Sequence, residues 1–378
     1  MPTQSSKMLV SETPRLMPFL VQFQKGLLGQ AASSIPLLTK LTQYYILQPS
    51  KRLRPCVIFL MCQATNGLGS EWHTMLLEAQ ASNLDTEEPL CSEILPSQIR
   101  LAQVVEMIHV ASLLHDDVID DAETRRGTPS APAVFGNNRT ILWGDFLLGR
   151  AMAMAASLRS PEVMALVSQA FCALVEGELL QSGDITDIGR REDILDTPAF
   201  QHLVRIPPGD TVLASLWEEY LCKTNMKTAS LFATALQAAV LLGGVASHER
   251  WLKVATSYGK WLGMAFQIID DLLDFEGNAD KLGKPANADL SLGIATAPVL
   301  FALQEDDSIR PLVLRRFEQH GDVDNVVKCV ARTQALVRTR ELAELYSAKA
   351  QEALSILPES TAKDALSDLT VAILVRKN

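Results

Sequence analysis

Two groups of aspartates, roughly 150 positions apart in the chain, are the side chains best suited to do chemistry. In each group, carboxylates at i and i+4 interrupt an apolar stretch of helical periodicity, so they share one helix face. Crowded carboxylates repel one another unless a cation neutralises them, and Mg²⁺ typically bridges one or two carboxylates to substrate phosphates. The two groups therefore predict a diphosphate site held from two sides by magnesium. The predicted metal-binding residues are Asp116, Asp117 and Asp120 in the first aspartate cluster and Asp270, Asp271 and Asp274 in the second.

The alternative for the first cluster is an acidic helix end that only faces solvent. Leucines precede the cluster, and Val118 and Ile119 lie inside it, which is not the pattern of a solvated helix end. We therefore favour metal binding, with Asp116 and Asp120 as the leading ligands of the first cluster and Asp270 as that of the second.

The composition predicts a folded protein that does not bind nucleic acid. Of 378 residues, 48% are hydrophobic and 21% are charged, which supports a sizeable core and argues against disorder. The net charge of −10, from 34 basic and 44 acidic residues, disfavours contact with a phosphate polymer.

Six scattered cysteines without a CxxC pair indicate free thiols in a reducing compartment. No uninterrupted apolar run reaches the roughly 18 residues typical of a membrane span, so we expect no transmembrane segment. The N-terminus has no secretion signal, and its first 11 residues weakly resemble a transit peptide that lacks arginines. These patterns predict a soluble protein of the mitochondrial matrix or the cytoplasm.

Most of the sequence has helical periodicity, with apolar residues at spacings of three and four. Clear examples are 101–121, 161–181 and 327–357, and no clear strand pattern is found. The fold is therefore predicted to be all-α.

Two polar stretches with prolines, 80–98 and 182–212, interrupt the helices. We interpret them as surface insertions rather than domain linkers, because the motifs on either side would have to act on one substrate. The chain is accordingly predicted to form one domain over residues 1–378.

Seven motifs occur in a characteristic order, and together they give the chain a strong resemblance to the trans-polyprenyl diphosphate synthases. Within that family, the chain is most similar to the fungal long-chain enzymes that make the ubiquinone side chain. The motifs are SKRLRP (50–55), EMIHVASLLHDDVID (106–120), ETRRG (123–127), GDFLLGRA (144–151), YLCKTNMKTASL (220–231), FQIIDDLLD (266–274) and GKPANADL (283–290).

The resemblance implies a Mg²⁺-dependent prenyltransferase that repeatedly condenses isopentenyl diphosphate with an allylic diphosphate. The implied fold is a bundle of ten or more helices around a deep central cavity, the isoprenoid synthase fold, with about three Mg²⁺ ions per active site. It also implies a homodimer, for which 151–158 and 164–175 are candidate interface segments.

The resemblance further assigns the basic residues to the two substrates. It implies that Arg125 contacts the allylic diphosphate and that Lys284 is a further diphosphate ligand near the second cluster. The implied contacts of isopentenyl diphosphate are Lys51, Arg54, His109 and Arg126.

Three more residues are implied at the reacting centre. Lys227 would hold diphosphate, while Thr228 and Gln267 would present neutral oxygens to the allylic cation, and the released diphosphate would act as the base. Lys223 and Thr224 form a similar pair one helical turn earlier, to which we assign a structural role.

The residues before the first cluster predict a long product. Ala111 and Ser112 stand where short-chain members of the family have aromatic residues, and Ile108 and Val104 further back are aliphatic. An open path for the growing chain predicts a long product, which by resemblance to the family has about six isoprene units or more. Trp143, at a position usually occupied by a small residue, would either shorten the product or serve packing.

Two other functions remain as alternatives. A class I terpene cyclase also has a DDxxD helix, but it lacks a second such cluster and an isopentenyl diphosphate site. A non-catalytic partner subunit of a hetero-oligomeric synthase typically has lost aspartates, whereas all six are present here.

Overall fold

The computed structural model describes residues 4–46, 52–82, 93–125, 127–182, 198–276 and 287–376. Within these ranges the chain is almost entirely helical, which confirms the all-α prediction. The exceptions are one π-helical turn (Asn225–Ala229), one 3₁₀ turn (Asp307–Ile309), and a hairpin of strands β1 (Thr124–Arg125) and β2 (Thr128–Pro129).

The α-helices are α1 (Gln4–Gln30), α2 (Pro36–Ile46), α3 (Leu53–Thr65), α4 (Trp72–Ser82), α5 (Pro96–Ile119), α6 (Ala131–Phe135), α7 (Asn137–Ser157), α8 (Pro161–Ser182), α9 (Pro198–Leu203), α10 (Thr211–Thr224), α11 (Ser230–Leu242), α12 (Arg250–Glu276), α13 (Ala288–Ser291), α14 (Ala297–Glu305), α15 (Arg310–Leu314), α16 (Asp322–Arg332), α17 (Ala335–Leu354) and α18 (Thr361–Leu374).

Two of the three helices named from periodicity correspond to single helices, α5 and α8. The prediction of one helix over 327–357 is wrong. Helix α16 ends at Arg332 and α17 begins at Ala335, because Thr333 between them has extended backbone (φ −103°, ψ 175°). The apolar periodicity continues across this break, so the periodicity did not reveal that the helix ends there.

The core is one large apolar cluster between the long helices. Helix α12 packs against α11 and α17, and α5 packs against α7, α3 and α1. Both aspartate clusters lie near the C-terminal ends of long helices, α5 and α12, so the packing of these helices positions the site. The largest fully buried side chains include Trp143, Trp217, Tyr258, Tyr346, Phe23, Phe59 and Phe301.

About half of each predicted insertion, 83–92 and 183–197, falls outside the described residues. The part of the second stretch that follows is packed: Phe200 and Val204 are buried, and the Phe200 ring lies edge-on to Trp217 at 6.1 Å. The insertions and the single domain stay predictions.

Helix α8 is apolar enough over Pro161–Gln181 to cross a membrane by length and composition, and 28% of its most apolar window is buried. One such helix in the described residues is weak evidence for a span, because core helices of soluble proteins pass the same test. The expectation of no transmembrane segment considered only uninterrupted apolar runs and did not anticipate this helix.

Glycines allow α12 to approach the π-turn and α11 closely. A Cβ atom on Gly263 would lie 2.5 Å from the Cα atom of Ala229, and one on Gly259 would lie 2.7 Å from the carbonyl oxygen of Phe232. Backbone atoms cannot yield to such contacts as a flexible side chain could. This approach sets the distance between Gln267, one turn beyond Gly263, and the residues of the π-turn.

We predict that Gly263→Ala destabilises the protein by about 1–3 kcal/mol, because the added methyl group forces α12 away from the π-turn. Thermal or urea unfolding measures the change. The control is Gly29→Ala in α1, where an added Cβ meets nothing within 4 Å. That substitution should be neutral or stabilising by up to about 1 kcal/mol. Equal effects of the two substitutions would contradict the role assigned to Gly263.

Candidate active site

A cavity of about 690 Å³ lies between the ends of α5 and α12. Among the sequence-predicted residues, Lys51, Arg126 and Lys284 fall outside the described part of the chain, and Asp117 does not line this cavity. The structure brings the remaining predicted residues together around one space. They are Arg54, His109, Asp116, Asp120, Arg125, Lys227, Thr228, Gln267, Asp270, Asp271 and Asp274.

The first aspartate cluster occupies the last turn of α5. The helix ends at Ile119, but the Asp120 N–H still donates to the carbonyl oxygen of Asp116 at 2.8 Å. The turn therefore remains closed, and Asp116 and Asp120 both line the cavity as their spacing predicted.

Asp117 lies on the other side of this turn and is fully buried. One of its carboxylate oxygens accepts a hydrogen bond from the Tyr45 hydroxyl, and the other accepts from Arg125 Nε at 2.5 Å. Both oxygens are thus engaged within the protein. Because Asp117 also does not line the cavity, its position does not support direct metal binding and favours a role in holding the end of α5 and Arg125 in place.

Arg125 is presented by the small hairpin that follows the cluster. Strands β1 and β2 are antiparallel, with Thr124 opposite Pro129 and Arg125 opposite Thr128. The turn between them includes Gly127 at φ +73°, a conformation that favours glycine. The ion pair with Asp117 fixes the hairpin to α5, so the Arg125 side chain reaches the cavity in a defined position.

The second aspartate cluster, on α12, resembles the first, except that its middle aspartate also lines the cavity. Asp271 is 3% exposed, and its oxygens accept from the Tyr220 hydroxyl at 2.6 Å and from Gln267 Nε2 at 2.9 Å. Asp274 accepts from the backbone N–H groups of Ala288 at 3.2 Å and Asp289 at 3.4 Å. In each cluster the middle aspartate is therefore held by a tyrosine, and the flanking aspartates line the cavity.

Several described contributors to the site were missed by the sequence analysis. Tyr45 and Tyr220 are distant in sequence from the aspartates they hold; Tyr45 lies in none of the motifs, and Tyr220 begins the motif YLCKTNMKTASL, but nothing local links either tyrosine to its aspartate. Asp289 lines the cavity and lies within the GKPANADL motif, so its acidity there could have been noticed. Arg376, beyond the end of α18, forms an ion pair with Asp270 and stacks over the Phe266 ring at 4.0 Å.

The π-turn between α10 and α11 carries the reacting-centre residues. Its signature is the Ser230 N–H, which bonds to the carbonyl oxygen of Asn225 five residues earlier. π-Turns within helices occur frequently at functional sites. Here the Lys227 ammonium pairs with Glu178 Oε2 at 2.5 Å and donates to Gln181 Oε1 at 3.0 Å. Lys227 is therefore held by α8 while it lines the cavity.

A chain of hydrogen bonds crosses from the π-turn to α12. The Thr228 hydroxyl donates to Gln267 Oε1 at 2.7 Å, and the Gln267 amide donates to Asp271. The Gln267 oxygen predicted to face the allylic cation is thus already accepting from Thr228. These bonds fix the amide orientation, and the Thr228 oxygen keeps acceptor capacity.

The electrostatics of the cavity fit a hard divalent cation. Burial raises the pKa of Asp116 to about 7, with Glu178 and Asp120 adding to the effect. Burial and the neighbouring Asp289 likewise raise the pKa of Asp271 to about 7. In the described ranges, no group of three or more His, Cys, Asp or Glu side chains converges to enclose an ion. The described residues therefore do not by themselves form a three-ligand metal site, and a divalent ion bound here would need further oxygen ligands from phosphate or water.

The predicted path of the growing chain is only partly seen. Ser112 lines the cavity, whereas Ala111, Ile108 and Val104 are buried in the core and do not line it. Trp143 is fully buried and lies edge-on to Tyr45 at 5.4 Å. Of its two proposed roles, this position favours packing, behind the tyrosine that holds Asp117.

Comparison with known proteins identifies the family. The polyprenyl synthetase family model matches residues 35–330. The chain belongs to this family. It is 40% identical to the probable mitochondrial hexaprenyl pyrophosphate synthase of Neurospora crassa, over 95% of this chain and 80% of that one. It is 36% identical to the mitochondrial hexaprenyl pyrophosphate synthase of Saccharomyces cerevisiae, over 93% of this chain and 88% of that one.

A solved structure has the same fold. It is the polyprenyl synthase of Caulobacter crescentus complexed with calcium and isoprenyl diphosphate, with a TM-score of 0.76, 26% identity and full coverage of both chains. The resemblance found in the motifs and the isoprenoid synthase fold are thereby confirmed, and the family is one of prenyltransferases.

The raised pKa values of Asp116 and Asp271 predict a pH-dependent stability. Their folded pKa of about 7 exceeds the ordinary value of 3.8, so the folded state binds extra protons between these values. Without metal, the melting temperature should therefore fall as pH rises through about 7. Mg²⁺ with inorganic diphosphate should raise the melting temperature more at pH about 8 than at pH about 5.5.

The control is Asp116→Asn, measured by thermal unfolding over the same pH range. Because this variant lacks one of the two titrating carboxylates, its melting temperature should change less with pH than that of the wild-type protein. Identical slopes would contradict the assignment.

Proposed function

We propose that the protein condenses isopentenyl diphosphate with an allylic diphosphate in repeated head-to-tail steps and releases a long all-trans polyprenyl diphosphate. The observation that supports it is that two aspartate pairs and several basic residues line one cavity. Anionic pairs that need metal, next to cations that need phosphate, match two diphosphate substrates side by side.

The flanking aspartates are proposed to hold Mg²⁺. Asp116 and Asp120 act from α5, and Asp270 and Asp274 act from α12. Asp271 lines the cavity but is held by Tyr220, so it acts through its neighbours. Bound Mg²⁺ supplies positive charge to the departing diphosphate. The solved Caulobacter relative bound to calcium and isoprenyl diphosphate supports a divalent ion with this substrate class.

The basic residues divide between the two substrates. Arg125 and Lys227 bind the allylic diphosphate, and each is preset by a carboxylate on a neighbouring helix. Arg54 and His109, together with Lys51 and Arg126, bind isopentenyl diphosphate. The Arg54 guanidinium lies 5.1 Å from the Phe232 ring centroid, which orients it. Lys284 would add a further diphosphate contact.

The reacting centre lies between these two sets. The hydroxyl oxygen of Thr228, oriented by Gln267, stabilises positive charge on the allylic fragment after ionisation. After isopentenyl diphosphate attacks the allylic cation, it loses a proton. The released diphosphate accepts this proton, so the reaction does not require a side chain as the base.

The pathway is proposed to be ubiquinone side-chain synthesis in the mitochondrial matrix. Two relatives that cover most of this chain are named mitochondrial hexaprenyl pyrophosphate synthases. A specialised terpenoid pathway is the second candidate. The pathway depends on the product length, which the cavity of this protein would set.

A homodimer is proposed from the apolar surface of α7 and α8. Leu142 on α7 is 64% exposed, and Val175 and Leu179, one turn apart on α8, are 46% and 45% exposed. Apolar side chains that recur on one helix face are typical of an interface. A subunit interface would also explain why little of α8 is buried. The candidate interface segments 151–158 and 164–175 belong to these two helices.

Elongation is the direct test of the function. Incubation of the purified protein with Mg²⁺, farnesyl diphosphate and radiolabelled isopentenyl diphosphate should give a long polyprenyl diphosphate, sized by chromatography after dephosphorylation. Asp116→Asn and Asp270→Asn should each lower turnover on the order of 100-fold or more, because each removes charge from the metal site.

The matched control is Asp324→Asn, an exposed aspartate on α16, which should retain wild-type turnover. A cyclic hydrocarbon in place of the elongated product would establish the cyclase alternative, and no product would establish the partner subunit. Wild-type turnover in both cluster variants would refute the metal assignment.

Product length is tested at Ser112, the residue of the predicted path that lines the cavity. Ser112→Phe places a ring one turn before Asp116 and should shorten the product while condensation continues. The control is Ser355→Phe, at an exposed serine after α17, which should leave the product unchanged. An unaltered product from Ser112→Phe would show that the chain does not grow past this helix face.

A further inference from the structure

We infer that Lys223 is a further diphosphate-binding residue, whose ammonium contacts the phosphate oxygens of the allylic substrate beside the second aspartate cluster. This inference rests on the proposed function. It revises the structural role that the sequence suggested for this lysine.

The position of Lys223 is the first argument. It lies in the last turn of α10, one turn before Lys227, and it lines the same cavity as Lys227 and the second aspartate cluster. Residues four apart on a helix share a face, about 6 Å apart along the axis. Because the helix continues through the π-turn, Lys223 and Lys227 extend into one space from one wall.

Its neighbour Thr224 shows the contrast. The Thr224 hydroxyl donates to the carbonyl oxygen of Tyr220 at 2.8 Å, a bond within the helix that fits the structural role. Lys223 has no such bond to the helix. The two residues of this pair therefore have different roles, although the sequence presents them together.

The partners of the two lysines are the second argument. Lys227 is held by Glu178 and Gln181. Among the residues that the structure describes, by contrast, neither a hydrogen bond nor an ion pair engages the Lys223 ammonium. An enclosed ammonium without a partner is unfavourable unless an anion completes its surroundings. The cavity that it lines is where the allylic diphosphate is proposed to bind.

The charges around Lys223 place it on the side of the second cluster. Asp271 and Asp289 are the acidic groups that act on it most strongly, and they favour its charged form. Burial, the largest effect, lowers its pKa, and Lys227 adds to this. A bound diphosphate would bring further negative charge to the lysine and relieve the repulsion between the two ammonium groups.

The side of the cavity also predicts which substrate depends on Lys223. Arg54 on α3 and His109 on α5 are proposed contacts of isopentenyl diphosphate, whereas Lys223 lies on α10, directly before the π-turn that carries Lys227. Loss of its charge should therefore weaken binding of the allylic diphosphate and of inorganic diphosphate, and leave the KM for isopentenyl diphosphate nearly unchanged.

The test compares Lys223→Met and Lys223→Arg with the wild-type protein. Calorimetric titration with inorganic diphosphate in Mg²⁺ buffer needs no turnover, so it reports on Lys223 even if the proposed reaction is wrong. We expect Lys223→Met to bind diphosphate about tenfold more weakly or worse, because a charge-assisted hydrogen bond is lost. Lys223→Arg, which keeps the charge, should recover much of the affinity.

Steady-state kinetics provide the second measurement. For Lys223→Met, the KM for the allylic diphosphate should rise by a similar factor, and the KM for isopentenyl diphosphate should stay within about twofold. The control is Lys253→Met at an exposed lysine of α12, which should change neither. If Lys223→Met does not fold, Lys223→Gln is the second neutral variant.

Wild-type diphosphate affinity in a folded neutral variant would overturn the inference. So would an equal rise of both KM values, or a change of melting temperature alone, since a purely structural lysine would give that result. Failure of the wild-type protein to elongate would instead refute the proposed function, whatever the titration shows.

Discussion

Repulsion between carboxylates is the constraint on which the arrangement of this site depends. Each cluster concentrates three aspartates near a helix C-terminus, where the helix dipole also disfavours negative charge. The protein resolves this by separating their roles. The middle aspartate is buried and held by a tyrosine, Tyr45 for Asp117 and Tyr220 for Asp271. The flanking aspartates remain in the cavity, with burial raising the pKa of Asp116. We therefore propose that a divalent cation binds where the protein has left negative charge insufficiently compensated.

The supports for the two clusters connect distant parts of the chain. Tyr45 comes from α2 and packs against Trp143 of α7. Tyr220 comes from α10, the helix that directly precedes the π-turn. Gln267 joins the second cluster to Thr228 across the contact that the α12 glycines permit. A change in helix packing would thus be transmitted to the carboxylates through these few hydrogen bonds. Long helices suit this task, because a site on rigid elements keeps its geometry better than one on loops.

The sequence predicted which side chains line the cavity better than it predicted the residues that hold them in place. Asp116 and Asp120, or Asp270 and Asp274, are four apart on an amphipathic helix, and helical geometry alone places each pair on one face. The all-α fold followed from the same periodicity. Tyr45 could not be found in this way, because it meets Asp117 only through tertiary packing. Nor could Asp117 be distinguished from its neighbours, since its burial depends on what packs behind α5. The break at Thr333 was missed because apolar spacing continues across it.

The cations of the cavity differ in a way that the residue types do not reveal. Arg125 and Lys227 are each held by a carboxylate, so their positions are fixed before substrate arrives, but their charge is partly neutralised. Because these side chains are already in position, they do not have to rearrange when charge develops on a departing diphosphate. They attract the incoming substrate less strongly than a free cation would, because their own partners compete. Lys223 differs from them, because neither a hydrogen bond nor an ion pair within the described residues engages its ammonium, although burial lowers its pKa. The two kinds together can bind a highly charged substrate and still orient it.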